Sequence, residues 1–247
     1  MEYQNRVVLF LDILGFQKII DETEDKGITN TEKVENINNA ILSMKGFAEK
    51  MELGSSKQVT QFSDSIVLSF KIEDLNNRNK VFELLLQLVM ILISHKLLCR
   101  GGISYGKLIH TNEVLFSPAL VEAYITESKA ALYPRVIFDE SLLKTLELKP
   151  SEPIINKDTD DRYYLDYFTG IIAGFNFRGI NKIEYLNDLR QIIIKGRKYQ
   201  KPDIRVKFDW MKNKLNTFLD RLPEIIYQND IIYSDVNEII KQVKRIN

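Results

Sequence analysis

The stretch that decides the fold is RVVLFLDILGF, residues 6–16. Val7 to Leu11 are five consecutive apolar residues, as expected of a central strand covered on both faces. Asp12 ends that run. Leu14-Gly15-Phe16 follows, where a glycine either lets backbone come close to a ligand or simply makes a turn. Working outward, Thr29 and Glu32 match a capping box that opens a helix to Lys50, with Val34, Ile37, Ile41, Met44 and Ala48 on one stripe. Residues 57–70, KQVTQFSDSIVLSF, read as a hairpin with Asp64 at or beside its tip. Residues 77–98 are dense in Leu, Val and Ile and suit a helix packed deep against a sheet. RGGISYGKLI (100–109) is another strand. Ser117-Pro118 opens a helix to about Ala131, with serine as N-cap and proline at the first helical position. A strand over 135–139 and a short helix over 141–146 complete the series.

The first six elements follow the β-α-β-β-α-β order of a ferredoxin-like split βαβ sheet, so the fold class is α+β with layers of sheet and helix. Residues 149–161 (KPSEPIINKDTDD) read as a polar linker or surface loop, and Tyr163 to Phe168 as a short added strand. Helices are expected over 183–199, 203–222 and 235–246, separated by Lys201-Pro202 and by Pro223. The division is therefore a core over 1–148 and a linker with a helical extension over 149–247.

Composition narrows the function. The chain has 247 residues, 45% of them hydrophobic, enough to bury a sizeable core. Lys+Arg and Asp+Glu both number 34, which argues against general nucleic-acid binding. The 11 Tyr and 13 Phe show no interleaved basic stripe. One cysteine, Cys99, and two histidines, His95 and His110, exclude an intrachain disulfide and a cysteine- or histidine-built zinc site. Cys99 and His95 read as packing residues. No signal peptide fits the first residues. The longest apolar stretch, 81–98, is broken by Glu83, Gln87, Ser94, His95 and Lys96, so no membrane span is expected. These features predict a soluble cytoplasmic protein.

The strongest chemical clue is the pair Asp12 and Asp64. A split βαβ sheet sets a first strand's end beside the tip of the next hairpin. Carboxylates brought that close repel, and a divalent cation removes the conflict. The plain alternative is a turn residue and a helix cap. Arg100 at a strand start could reach a phosphate or pair with a surface carboxylate. Thr60 and Gln61 could read a base edge or be sheet-surface residues. Glu122 and Glu127 fit an interface or sheet packing better than catalysis.

These motifs carry a resemblance. FLDILGF (10–16) resembles the Asp-x-x-Gly-Phe opening of class III nucleotide cyclases, and QFSDSIVLSF (61–70) resembles their second metal-aspartate hairpin. RGGISYGKLI is similar to their Arg-x-Gly-Ile-x-x-Gly strand, and FSPALVEAYITESKAA (116–131) takes the place of their active-site and dimer helix. The likeness covers roughly residues 5–145, and the last hundred residues have no counterpart. It implies a nucleotide-cyclase core and a head-to-tail homodimer acting on a ribonucleoside triphosphate. Two Mg²⁺ or Mn²⁺ ions would be held by Asp12, Asp64 and the Ile13 carbonyl. The amides of Leu14, Gly15 and Phe16 would hold the triphosphate, and Arg100 would assist.

The pattern also departs from that family. The lysine by which purine cyclases read the base has no match, since the region holds Val59-Thr60-Gln61 and Lys57 comes too early. Residues 117–131 contain neither the family's Asn nor its Arg, leaving Arg100 or Lys129 as substitutes. In lacking the purine-reading pattern the chain resembles compact bacterial pyrimidine cyclases of anti-phage (Pycsar) systems, which implies CTP or UTP as substrate. A cyclase fold that binds nucleotide without turnover is the alternative. A palm-type phosphotransferase is a third reading, although the Gly-Gly-Asp/Glu-Glu-Phe signature of diguanylate cyclases is absent.

Overall fold

The computed structural model describes residues 2–78, 80–148, 154–172, 181–228 and 233–247. Its centre is strand β1 (Gln4–Ile13), whose Val7, Val8, Leu9 and Leu11 are fully buried. β1 is followed by α1 (Phe16–Asp21), the short hairpin β2 (Glu24–Asp25) and β3 (Ile28–Thr29), and α2 (Thr31–Lys50). Next come β4 (Gln58–Phe62), β5 (Ser65–Phe70), α3 (Lys80–Ser94) and β6 (Cys99–His110). The sheet order begins β4-β5-β1-β6, all antiparallel. That is the split βαβ arrangement expected from the element order.

The sheet then continues through the strands expected within 135–139 and 163–168, and through two more that were not expected. β6 also pairs with β7 (Leu115–Phe116), and on its far side it pairs in parallel with β8 (Val136–Phe138). Beyond β8 lie β10 (Tyr163–Leu165) and the edge strand β9 (Ile155–Lys157). Residues 154–157 therefore correct the linker reading, while 149–153 lie outside the described residues. Between β7 and β8 runs α4 (Pro118–Ile125), prolonged by a π-helical turn (Thr126–Ala130). α5 (Glu140–Thr145) follows β8.

Helices α2 and α3 pack together, and α3 receives α6 (Lys182–Gly196). α7 (Pro202–Gln228) and α8 (Tyr233–Gln242) complete the cover. One apolar core runs through all of these, from Leu9 and Phe82 to Leu186, Met211 and Ile246. α4 lies on the sheet's other face over a smaller cluster of Val8, Val67, Leu108, Ala119 and Ala123.

Three local expectations are corrected. The cap of α2 is Asn30, whose side chain accepts from the Lys33 amide at 3.1 Å, because Thr29 is held in the β2–β3 ladder. Val34 is exposed, and Ala40 takes its place on the buried stripe. Pro223 does not separate two helices; it lies inside α7, only the last turns of which follow it. The other punctuation holds. Ser117 accepts from the Leu120 amide at 2.8 Å with Pro118 at the first helical position, and Pro202 opens α7.

A buried ion cluster fastens α7 to the sheet. Arg135, fully buried before β8, contacts Asp158 at 2.5 Å and also Asp160. Asp158 further accepts from Trp210 Nε1 at 2.9 Å and Lys214 Nζ at 3.0 Å, both from α7. Tyr133 stacks on Trp210 with ring centroids 5.2 Å apart. A charge with this little water costs several kcal/mol unless paired, and here the two terminal nitrogens of Arg135 meet carboxylates while its Nε has no hydrogen-bond partner among the described residues.

Candidate active site

Sheet register builds the site. Asp12 is paired with Ser65 on β5 and with Arg100 on β6. Residues directly opposite in neighbouring strands project to one face, so these three side chains stand in a row across the sheet. Asp64 and Ser63 form the two-residue turn between the paired Phe62 and Ser65, with Ser63 at φ 53°. The Ile13 amide donates to the Asp64 carbonyl at 3.2 Å, which ties the turn to the end of β1. The two aspartates are thus brought together by backbone pairing.

Electrostatics agree with that placement. Burial pushes the Asp12 carboxyl above its ordinary value, opposed by the Ser65 hydroxyl, which donates to Asp12 Oδ1 at 2.9 Å. The Asp64 carboxylate raises it further, by its charge and by side-chain hydrogen bonding, while Arg100 lowers it. Among the described residues no group of three or more His, Cys, Asp or Glu side chains is placed to hold a metal. Two carboxylates with an open side still suit Mg²⁺, which takes few protein ligands and completes its shell with phosphate and water.

Glu127 is the member that sequence reasoning set aside. It is buried on the π-helical turn and forms an ion pair with Arg100 Nε. Neither Arg100 Nε nor Glu127 Oε1 makes a well-directed hydrogen bond, so the contact is one of charge. Burial raises the Glu127 carboxyl, Arg100 lowers it, and Asp12 and Asp64 both raise it. The site is therefore three carboxylates around one arginine. Arg100 pairs with a buried carboxylate, where the alternative to a phosphate was a surface one. A π turn inserts one residue into the helical repeat and recurs at functional sites; nothing in the residue order marks this one.

Gly102, the second glycine of the RGG motif, serves this contact. A Cβ on Gly102 would stand 2.3 Å from the Ala123 carbonyl, 2.8 Å from Thr126 Cβ and 3.0 Å from the Glu127 amide. Only a glycine lets α4 and its π turn lie this close to β6. Gly102→Ala is expected to cost about 1–3 kcal/mol by overpacking, a fall of about 3–10 °C in melting temperature for a chain of this size. It should also reduce any turnover by shifting Glu127 from Arg100. An unchanged melting curve would contradict the close approach.

Other expected site residues are dispersed or engaged. The Leu14 amide donates to the Leu98 carbonyl at 2.8 Å, so it is not available to a triphosphate. Gly15, at φ 74°, caps α1, and Phe16 begins it. Thr60 and Gln61 are neighbours on β4 and so point to opposite faces. Thr60 Oγ1 lies 2.9 Å from His110 Nε2, and Gln61 Nε2 reaches the Ser63 carbonyl at 3.4 Å. They do not form a joint base reader. Lys129, Glu122 and Tyr124 are exposed on α4 and the turn after it, and Tyr124 meets the edge of Phe10 at 5.5 Å. Cys99 is buried, and burial pushes its thiol up, as suits a packing residue.

His110 belongs to a polar network on the same face. Its Nδ1 lies 2.8 Å from Ser69 Oγ, which also accepts from Arg6 Nε at 3.0 Å. Burial, then the charge of Arg6, lowers its pKa from 6.5 to about 4. The unfolded chain therefore takes up this proton first as pH falls. The stability contributed is complete above the ordinary value of 6.5 and is lost as pH drops toward 4, on the order of 3 kcal/mol in total. His110→Gln should flatten the stability profile between those limits; an identical profile for the variant would rule this origin out.

No protein-family profile and no curated protein matches the chain. Among solved structures, one match is the adenylyl cyclase CyaB from P. aeruginosa, with 15% identity, a TM-score of 0.47, and coverage of 67% of this chain and 96% of that one. Another is an adenylate/guanylate cyclase/hydrolase from Silicibacter pomeroyi, with 14% identity, a TM-score of 0.41, and coverage of 67% and 99%. No helix among the described residues is long and apolar enough to cross a membrane.

Proposed function

We propose that the chain is a nucleotide cyclase that converts a ribonucleoside triphosphate, CTP or UTP, to the 3′,5′-cyclic nucleotide and pyrophosphate. The observation that carries this reading is the convergence of Asp12 and Asp64 beside Arg100 and an open glycine turn. Asp12, Asp64 and the Ile13 carbonyl are the residues to hold two Mg²⁺ or Mn²⁺ ions, which when bound supply charge stabilisation to the attacking and departing oxygens. Gly15 and Phe16 offer backbone amides to phosphate oxygens. The bond from the ribose 3′-oxygen to the α-phosphorus forms as the bond from that phosphorus to the bridging β-phosphate oxygen breaks, and the 3′-hydroxyl proton leaves to water. Arg100, steadied by Glu127 and directly across from Asp12, sits where it can neutralise charge on the transferred group. Positioning and electrostatics do most of this chemistry.

The absent purine-reading lysine supports a pyrimidine base and, with it, an alarm role in anti-phage defence. Val121, Tyr124 and Ile125 on α4, with Phe116 on β7, leave an exposed apolar surface that suits a second copy in a head-to-tail homodimer. A second reading, nucleotide binding without turnover, is favoured by one observation. α4 brings neither Asn nor Arg, and Arg100 is already engaged by Glu127.

The test is incubation of the purified protein with Mn²⁺ and each of the four ribonucleoside triphosphates, with mass-spectrometric detection of cyclic nucleotide and pyrophosphate. Product from CTP or UTP supports the proposal. Metal-dependent binding without product from any of the four favours the second reading, and neither binding nor product ends both.

A further inference from the structure

Behind the Gly15 turn is a cavity of about 540 Å³ between α1 and the pair α6–α7. Its apolar wall includes Ile19, Leu98, Ile192 and Phe208, and Leu14 and Gly15 close one end. Four lysines line it: Lys18, Lys96, Lys195 and Lys207. Two of these have partners. Lys18 donates to Tyr199 Oη at 2.8 Å and Lys96 stands 3.8 Å from Asp188. Lys195 is exposed and so costs nothing to leave in water.

Lys207 is different. It comes from α7, is half-buried, and makes no ion pair among the described residues. Burial, and then the positive charge of Arg100, push its ammonium below the ordinary value, while Asp203 one turn earlier pushes back. It lines the same cavity as Leu14 and Gly15, which directly follow the end of β1 that carries Asp12. A half-buried cation with no ion-pair partner is unfavourable until an anion arrives, just as the paired aspartates await a cation.

We propose that Lys207 binds the polyphosphate tail of the nucleotide, so that α7 supplies the cation that α4 lacks. This rests on the cyclase reading above and extends it to a residue in the C-terminal third of the chain. The ammonium neutralises charge on the β- and γ-phosphates, with Gly15 and Phe16 holding oxygens from the other side. Phosphates beyond the α position are the part of the ligand it recognises, so a monophosphate gains nothing from it.

The test is calorimetric titration of the full chain, with Mn²⁺, using the α,β-methylene analogues of ATP, GTP, CTP and UTP and the four monophosphates. Lys207→Met keeps the apolar stem in place and should weaken binding of the preferred analogue about tenfold, the loss of one charge-assisted contact. Lys207→Arg should restore most of it, Lys198→Ala, an exposed lysine, should change nothing, and monophosphate affinity should stay constant across all three. Equal loss for mono- and triphosphate assigns Lys207 a structural role and overturns the proposal. Analogue binding that is lost in Asp12→Asn but unchanged in Lys207→Met overturns it while leaving the cyclase reading intact. A wild-type chain that binds none of the analogues overturns both.

Discussion

Asp12→Asn is expected to abolish cyclic-nucleotide formation, by about a thousandfold or more, while leaving the protein folded. Loss of a charge that acts on developing transition-state charge in a water-poor site typically costs several kcal/mol of barrier. The same substitution should leave the melting temperature equal or higher. Asp12 and Glu127 both have carboxyls raised above their ordinary values of 3.8 and 4.5, chiefly by burial. The folded state thus binds those protons more tightly than the unfolded chain. The stability linked to them is present at low pH, below the ordinary values, and disappears as pH rises through the raised ones. At neutral pH the ionised cluster is a net liability, as is common where function demands like charges close together. Turnover assays and thermal melts of wild type, Asp12→Asn and Asp64→Asn check both halves. Full activity in either variant would falsify the assignment.

Arg135→Met is expected to have the largest effect on stability. Removing the arginine leaves Asp158, a buried carboxylate, with Lys214, the Trp210 indole and the Thr159 amide, and without its buried counter-charge. Breaking one partner of a buried pair typically costs about 3–5 kcal/mol, or about 6–20 °C in this size range. Asp158 carries a pKa depressed by Lys214, Thr159 and Trp210 against the opposing pull of burial. Its contribution is therefore present above the ordinary value of 3.8 and is lost as pH falls through the depressed one. Trp210 is the single tryptophan, so its fluorescence reports this cluster directly. A melting point within a degree or two of wild type would show that the network contributes little.

Much of the sheet was legible because strands have a period of two and turns have recognisable chemistry. The buried run of β1 and the Ser63–Asp64 tip were enough to place the aspartates side by side. Thr60 and Gln61 obey the same period, and adjacent strand residues cannot serve one ligand from one face. Other features depended on information that residue order does not hold. Glu127 enters the site through a π turn, and the Leu14 amide is taken by the Leu98 carbonyl just before β6. The run 154–161 looked solvated because it is rich in Asp, yet Asp158 turns inward as the counter-ion of an arginine more than twenty residues earlier. A charge reads as surface until its partner is known.

The far end of the chain has a consequence for how the molecule is made. Val243 and Ile246 are buried, and Asn216 exchanges two hydrogen bonds with Ile246, at 2.9 and 3.0 Å. A nascent polypeptide that has emerged as far as residue 148 has the strands that carry Asp12, Asp64 and Arg100 but not α6, α7 and α8. Synthesis must pass residue 196 before α6 can cover α3, and residue 246 before Asn216 of α7 has its partner. Until then its aspartates stand on a scaffold that has yet to set.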